Sequence, residues 1–337
     1  MTPLFKPYVP EDLSELETIL RSGNLSYGTW SKRFEAGIAS FIDTENLIVV
    51  NSFNSAISVA LTTLGLKFGD EVIASPLSCL ASTQPIAALG IRVVWADIDP
   101  DKGTLCPDSV KCKITSKTRA ILHNHFCGYV GHVDEINNIG KDHGIFVIDD
   151  SIEAFGSTYK GNFMGNLGSD VTVFSFQSVR FPNTVDGGAI VFKNPDMLTK
   201  SKRVRDQGID RSLFRDSLGE ISPRCDVSEV GYAALMSDLN GYIGNNQLDM
   251  LDNVLRIQRM NASKWREKLS KYLTSYSLLS DEVSDPNYWI FGLLVPNKIE
   301  AIKLFRAEGY WASSVHLPNN NYSLFGHQEK LKGVDEF

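Results

Sequence analysis

Residues 147–161, which read VIDDSIEAFGSTYKG, place two carboxylates, Asp149 and Asp150, directly after a short apolar run. Similar apolar runs alternate with helical patterns in both directions along the chain. Such alternation favours a largely parallel α/β sheet covered by helices on both faces. Ligands of such sheets gather at the carboxyl ends of the strands, so the two aspartates mark a candidate site. We predict strands at 47–50, 71–74, 92–96, 120–123, 146–148, 171–176 and 188–192.

Outside this region, the spacing of apolar residues predicts helices over 12–22, 31–41 and 54–66. A longer helical pattern runs from about Ser237 to Leu269. It leads into a small α/β region that holds the patterns at 288–295 and 301–308. We therefore predict a large domain over 1–245 and a small C-terminal domain over 246–337.

Composition argues against several classes of function. The 337 residues carry a formal net charge of −7, and no basic stripe suggests a nucleic-acid partner. No apolar run approaches the ~18 residues of a membrane helix, and the first residues lack the pattern of a signal peptide. The odd number of cysteines suits the reducing cytoplasm. Cys106 and Cys112 have no histidine at ligand spacing, so we expect no metal site.

Asp150 is the first candidate for chemistry because it follows a buried strand. A carboxylate in such a place is costly unless a cation or a hydrogen-bond donor pairs with it. Asp149 or Asp150 could instead cap a following helix. The spacing alone leaves both interpretations open.

Six further stretches carry a resemblance in order and spacing: SGNLSYG (22–28), GDEVIASPLSCLAST (69–83), WADIDPDKGTL (95–105), ITSKTRAILHNHFCGYVGHVDEI (114–136), FSFQSVRFPNTVDGGAIV (174–191) and GYAALMSDLNGYIGNNQLDMLD (231–252). With residues 147–161, they resemble the DegT/DnrJ/StrS sugar aminotransferases from Arg21 to about Phe337. The resemblance implies a fold-type-I pyridoxal-phosphate (PLP) transferase. Its large domain has a mixed, mostly parallel sheet sandwiched by helices, and a small C-terminal α/β domain follows. It also implies a homodimer, a keto-sugar nucleotide as substrate and a place in polysaccharide biosynthesis.

The resemblance also implies roles for individual residues. Asp150 would pair with the pyridinium nitrogen of PLP, so that the ring acts as an electron sink. Ser175 would hold the phosphate, and Cys79 would lie on the ring face. The full set implied for the cofactor is Ser52, Asn54, Ser78, Cys79, Asp150, Glu153, Ser175 and Gln177, and the set implied for the substrate is His125 and His316.

The chain departs from the family at the decisive position. The family pattern Phe-Ser-Phe-x-x-x-Lys falls on residues 174–180 and places Arg180 where the Schiff-base lysine should be. A guanidinium stays protonated at any working pH, so it can neither form an imine nor remove a substrate proton. In the same pattern, Asn183 replaces a hydroxyl residue and Val185 replaces a glycine.

Other cofactor positions have changed as well. Phe53 replaces a glycine near the phosphate, and Glu153 replaces the glutamine or histidine that contacts the phenolic oxygen, where an anion would repel a phenolate. Ala233 and Leu235 replace polar residues of a loop that reaches the neighbouring subunit, and Pro318 replaces an arginine. The sequence ends at GVDEF, so we expect a shortened small domain.

Three functional hypotheses follow from the resemblance and its departures. The first is an active sugar aminotransferase. The second is a relative that does not transaminate but binds a nucleotide sugar or related metabolite, or pairs with an active paralogue in a heterodimer. The third is an altered enzyme, such as a dehydratase, that uses pyridoxamine phosphate (PMP). Arg180 favours the second hypothesis, under which bound PLP or PMP is not required.

Overall fold

A computed structural model describes residues 7–272, 277–279, 283–326 and 330–337. The strands are β1 Leu47–Val50, β2 Glu71–Ala74, β3 Arg92–Trp95, β4 Ile98–Asp99, β5 Thr104–Leu105, β6 Thr118–Asn124, β7 Phe146–Ser151, β8 Thr158–Tyr159, β9 Asn162–Phe163, β10 Val171–Ser175, β11 Gly188–Phe192, β12 Ser277–Leu278, β13 Ser284–Asp285 and β14 Leu293–Leu294. The central feature is a seven-stranded sheet in the order β1-β11-β10-β7-β6-β2-β3. Three smaller sheets pair β4 with β5, β12 with β14, and β8 with both β13 and β9.

The main sheet is mixed and mostly parallel, as predicted. Strands β10, β7, β6, β2 and β3 run parallel, whereas β11 is antiparallel to both β10 and β1. The parallel strands are short, largely buried apolar runs because helices cover both faces. Alternation along β1 shows the two faces directly: Ile48 and Val50 belong to one apolar core, and Leu47 and Val49 belong to the other.

Twelve α-helices lie within the described residues, and the first three agree with the predicted helices to within a few residues. Helix α3 is capped by Ser52, whose hydroxyl accepts a hydrogen bond from the Ser55 amide. The helices are α1 Ser14–Arg21, α2 Thr29–Phe41, α3 Phe53–Thr63, α4 Leu80–Ala88, α5 Pro107–Lys113, α6 Val133–His143, α7 Pro195–Val204, α8 Arg211–Phe214, α9 Asp238–Asn245, α10 Leu251–Ser270, α11 Lys298–Ala307 and α12 Lys332–Glu336.

The long helical pattern predicted from Ser237 to Leu269 is broken into two helices. Helix α9 ends at Asn245, and α10 begins at Leu251 after a short 3₁₀ turn. Gln247, which is fully buried between them, donates from Nε2 to the carbonyls of Asn183 and Ile243, both at 2.7 Å. These bonds tie the break to the loop that follows Arg180, and helical periodicity alone does not reveal such a long-range contact.

None of the helices in the ranges described is long and apolar enough to cross a lipid bilayer. The five cysteines are free thiols. The smaller elements β12, β14 and α11 lie in the C-terminal region where the sequence predicts a small α/β unit.

Val185 adopts a left-handed backbone conformation, with φ at 67°, in the loop where the resemblance implies glycine. A β-branched side chain is poorly tolerated there, and left-handed geometry costs an L-residue about 1–2 kcal/mol. Val185 is also 55% exposed, so burial of its side chain does little to offset the cost of this backbone conformation. We predict that V185N raises the free energy of unfolding by about 1 kcal/mol in chemical denaturation, because asparagine tolerates this region better. A variant no more stable than the wild type would contradict this account.

Candidate ligand-binding site

Asp150 lies at the carboxyl end of β7, next to Ser175 at the end of β10, where the sequence predicts a site. Its side chain is fully buried. Oδ1 accepts a hydrogen bond from the Ile152 amide at 3.2 Å, but Oδ2 has no partner among the described residues. Ile152 and Glu153 form a bend after β7, and residues 152–170, all of which the structure describes, contain no helix, so the interpretation of Asp149 or Asp150 as a helix cap is wrong.

Burial raises the pKa of Asp150 to about 6, although the nearby Ser82 hydroxyl and the Ile152 amide partly oppose the shift. The carboxylate therefore lies where its charge is poorly solvated and one of its oxygens is free to accept. A ligand that presents an N–H or O–H group would satisfy this oxygen.

Arg180 occupies the loop after β10, and its side chain is 9% exposed. The guanidinium carbon lies 4.1 Å from the centre of the Trp289 ring, and Nη2 lies 3.5 Å from Oε1 of Glu153. Nε and Nη1 have no hydrogen-bond partner among the described residues. This loop position therefore holds a fixed cation whose side chain is largely buried.

Glu153 is the centre of a charged cluster formed with Arg180 and His316. Its Oε1 lies 3.0 Å from Nε2 of His316, and its Oε2 accepts a 2.7 Å hydrogen bond from the amide of Cys127. Cys127 aims that amide from a left-handed conformation, with φ at 56°. Burial disfavours the charge of Glu153, but the His316 hydrogen bond, the Arg180 charge and the Cys127 amide together hold its pKa below the usual value.

A narrow cleft beside Arg180 has a volume of about 20 Å³, which is on the scale of a single water molecule. One wall is Trp289, whose Nε1 donates to the carbonyl of Val179 at 3.0 Å and whose amide donates to Oδ1 of Asn287 at 2.9 Å. Sequence spacing gives no sign of this wall, because Trp289 lies more than a hundred residues after Arg180. The lining residues are Ile152, Glu153, Phe155, Ser175, Arg180, Phe181, Leu251, Leu255, Gln258, Asn287 and Trp289.

Cys79 lies within electrostatic range of Asp150, Glu153 and Arg180, and Ser78 directly precedes it in the chain. Burial raises the pKa of the Cys79 thiol, and the neighbouring charges of Asp150 and Glu153 raise it further. Asn319 covers this region from the C-terminal part of the chain, since its amide nitrogen donates to the Ser78 hydroxyl at 3.2 Å.

His125 is held in a separate buried cluster around Asp149. Its Nε2 lies 3.1 Å from Oδ1 of Asp149, and its Nδ1 accepts the amide hydrogen of Gly131. His123 lies on the same side, with Nδ1 3.4 Å from Asp149, and burial lowers its pKa to about 4. The side-chain nitrogens of His125 are thus both engaged within the protein, and neither is free for a substrate.

The remaining candidate residues, Ser52, Asn54 and Gln177, are not part of the Glu153 cluster. Ser52 caps α3, and its hydroxyl also lies 2.9 Å from that of Ser55. Asn54 and Gln177 are exposed. Phe53 turns its side chain into the core, so it does not obstruct the start of α3.

Comparisons with known proteins agree with this architecture. The family model described as the DegT/DnrJ/EryC1/StrS aminotransferase family matches residues 8–332. The chain belongs to this family.

Individual relatives support the assignment. The spore coat polysaccharide biosynthesis protein SpsC of Bacillus subtilis (strain 168) is 30% identical over 256 residues, which are 76% of this chain and 66% of that protein. The sugar aminotransferase CalS13 from Micromonospora echinospora has a TM-score of 0.91 and 27% identity, over 99% of this chain and 92% of its own. AtS13 from Actinomadura melliaura has a TM-score of 0.91 and 30% identity, over 99% and 91%.

The family is PLP-dependent, and the residues of this site fit that cofactor only in part. The unpartnered Oδ2 of Asp150 suits a pyridinium N–H. Covalent attachment does not fit, because none of the described residues lining the cleft is a lysine. Lys160, which the resemblance places elsewhere, is exposed and paired with Asp134.

Proposed function

We propose that this chain keeps the family's fold and cleft but does not transaminate through a lysine imine. It would act instead as a binding protein for a nucleotide sugar or a related metabolite. The observation that carries the proposal is the buried guanidinium of Arg180 between Glu153 and Trp289. A guanidinium does not lose its proton at working pH, so it has no lone pair with which to attack an aldehyde.

Borohydride reduction after incubation with pyridoxal phosphate tests this proposal. We expect peptide mapping by mass spectrometry to find no reduced pyridoxyl group on any residue of the cleft in the wild type. The control is R180K, which supplies an amine at the same backbone position and is expected to gain one such group at residue 180. A fixed adduct within the wild-type cleft would refute the proposal.

An enzyme that holds pyridoxamine phosphate without a covalent bond is a second candidate. The unpartnered Oδ2 of Asp150 favours it, because that oxygen suits a ring N–H. A coupled assay with glutamate and a keto-sugar nucleotide separates the two candidates. Amino transfer by the wild type would support the second candidate, an enzyme that holds pyridoxamine phosphate without a covalent bond.

Assembly is part of the same proposal. The family resemblance supports a homodimer, and a chain without the catalytic lysine could also pair with an active relative that keeps it. Light scattering on the purified chain tests self-association, and co-purification with such a relative tests the heterodimer.

A further inference from the structure

A stretch of the C-terminal region, residues 315–321, lies against the candidate site and engages its polar groups. We call this stretch the strap. Nε2 of His316 lies 3.0 Å from Oε1 of the buried Glu153, and Nδ2 of Asn319 donates to the Ser78 hydroxyl at 3.2 Å. The resemblance assigns both Ser78 and Glu153 to the cofactor. The strap therefore contacts two groups that a bound ligand would be expected to use.

Asn319 anchors the strap in a buried position. It is 1% exposed, and its side-chain NH₂ group has two acceptors, the hydroxyls of Ser78 and Thr83, the second at 3.0 Å. Its backbone amide donates to the carbonyl of Pro76 at 2.7 Å. The Ser78 hydroxyl donates in turn to the carbonyl of Ser75 at 3.1 Å. Ser78 can therefore only accept a hydrogen bond from a ligand, and Asn319 already supplies one.

Regular secondary structure does little to hold the strap in place. Residues 308–318, all of which the structure describes, contain no helix or strand. Val315 packs against an apolar cluster that includes Phe126, but from a left-handed backbone conformation, with φ at 64°, that suits a β-branched residue poorly. Leu317 is 57% exposed. Segments with few buried apolar contacts and no backbone ladder open at a lower free-energy cost than a sheet does.

Polar atoms of the same site lack partners, and the space beside them is small. Oδ2 of Asp150 and both Nε and Nη1 of Arg180 have no hydrogen-bond partner among the described residues. Native proteins seldom leave such buried groups unpaired without a reason. The narrow cleft beside Arg180 has a volume on the scale of one water molecule, so a nucleotide sugar does not fit there as the strap now lies.

We propose that the strap is an internal occupant of the ligand site, and that a ligand enters by displacing His316 and Asn319. The inference rests on the proposed function, because it explains how so narrow a site admits a nucleotide sugar. Displacement would uncover Glu153 and Ser78, both of which accept hydrogen bonds. The hydroxyl groups of a sugar are donors, so they can replace the two strap side chains at these acceptors.

Amide hydrogen exchange followed by mass spectrometry tests whether the strap opens while the sheet stays folded. The reporter is the peptide that contains the buried amide of Asn319, and the reference is the peptide that contains β7. In the wild type, without denaturant, we expect the strap peptide to be protected but to exchange at least tenfold faster than the β7 peptide.

Two variants place this opening at the Asn319 anchor. N319A removes the hydrogen bonds to Ser78 and Thr83, and it should speed exchange of the strap peptide at least tenfold. L317A is the matched control, since Leu317 belongs to the same strap but its side chain is largely exposed. Exchange of its strap peptide should match that of the wild type.

Calorimetric titration with UDP-glucose tests whether the strap controls access to the site. N319A should bind this probe at least tenfold more tightly than the wild type, because the wild type must first break the Asn319 bonds. A tenfold change corresponds to about 1.4 kcal/mol. L317A should bind UDP-glucose with the wild-type affinity.

Four results would overturn the inference. They are exchange of the strap peptide as slow as that of the β7 peptide, exchange at the rate of an unprotected chain, unchanged strap exchange in N319A, and equal UDP-glucose affinity in N319A and the wild type. UDP-glucose that binds neither protein would refute the proposed function, and the exchange results would still decide whether the strap opens. The comparison of strap and β7 uses only the wild-type chain, so it stands even if N319A folds poorly.

Discussion

Replacing Glu153 by alanine is expected to lower the free energy of unfolding by about 3–5 kcal/mol. Removing one partner of a buried ion pair leaves the other charge uncompensated, and the loss is of this size. Glu153 is 3% exposed and the side chain of Arg180 is 9% exposed. The amide of Cys127 would also lose its acceptor in a fully buried position. Urea denaturation at neutral pH measures the change.

The matched control is the double variant E153Q/R180M. Glutamine keeps an oxygen for the Cys127 amide, and methionine removes the cation that needs a counter-charge. Replacing both partners of a buried pair by uncharged groups of similar size often changes stability little. The free energy of unfolding of the double variant should therefore be much closer to that of the wild type than the value for E153A is. Equal loss in both would show that the charge of Arg180 does not depend on Glu153.

This pairing links two departures from the family that look independent in the sequence. The resemblance implies that Arg180 stands in place of the imine-forming lysine and that Glu153 stands in place of a residue that contacts the phenolic oxygen. In the structure the two residues lie side by side, and His316 approaches the same carboxylate. A buried arginine needs an anion nearby, so the acidic residue at 153 fits the arginine at 180. Together with His316, the two residues form one cluster around the Glu153 carboxylate.

The sheet could be predicted from the sequence because its strands are short apolar runs between turn and helix signals. Strands β1, β2 and β11 have the predicted bounds. The break between α9 and α10 could not be predicted, since it depends on hydrogen bonds between Gln247 and Asn183, which lies in a loop some sixty residues earlier in the chain.

The site could be predicted only where it follows the strand ends. Asp150, Ser175 and Arg180 come from such positions, but the wall formed by Trp289 and Asn287 arises from tertiary packing alone. The role of His125 depends on strand register. His123 lies opposite Asp149 in the β6–β7 pairing, so both point to one face, and His125 continues on that face towards Asp149. A single sequence does not reveal that register.

The buried charge of Asp150 destabilises the fold at neutral pH, and the expected effect of removing it is large. Burial raises its pKa from 3.8 to about 6 in the fold. A carboxyl group with a raised pKa binds its proton more tightly in the folded state than in the unfolded state. Losing that proton therefore lowers the free energy of unfolding, and this loss is complete above pH 6. The shift corresponds to about 3 kcal/mol.

We therefore expect D150N to be more stable than the wild type at pH 7. The neutral amide removes the buried charge. Its NH₂ group, however, takes the place of an oxygen that has no partner, and this unsatisfied donor costs about 1–2 kcal/mol of stability. A net gain of about 1–2 kcal/mol should remain at pH 7. It should shrink as the pH falls from 6 towards 3.8, because Asp150 of the wild type then becomes protonated and loses its disadvantage.

Urea denaturation of the wild type and D150N at pH 7 and pH 4.5 tests this expectation. The quantity compared is the difference in free energy of unfolding between the two proteins at each pH. The buried His123, whose pKa is lowered to about 4, destabilises the fold over the same range as the pH falls, but it does so in both proteins. Its contribution therefore cancels in the difference. A gain for D150N that stays constant or grows on acidification would show that the Asp150 charge is satisfied within the fold, and the case for a ligand donor at its free oxygen would fail with it.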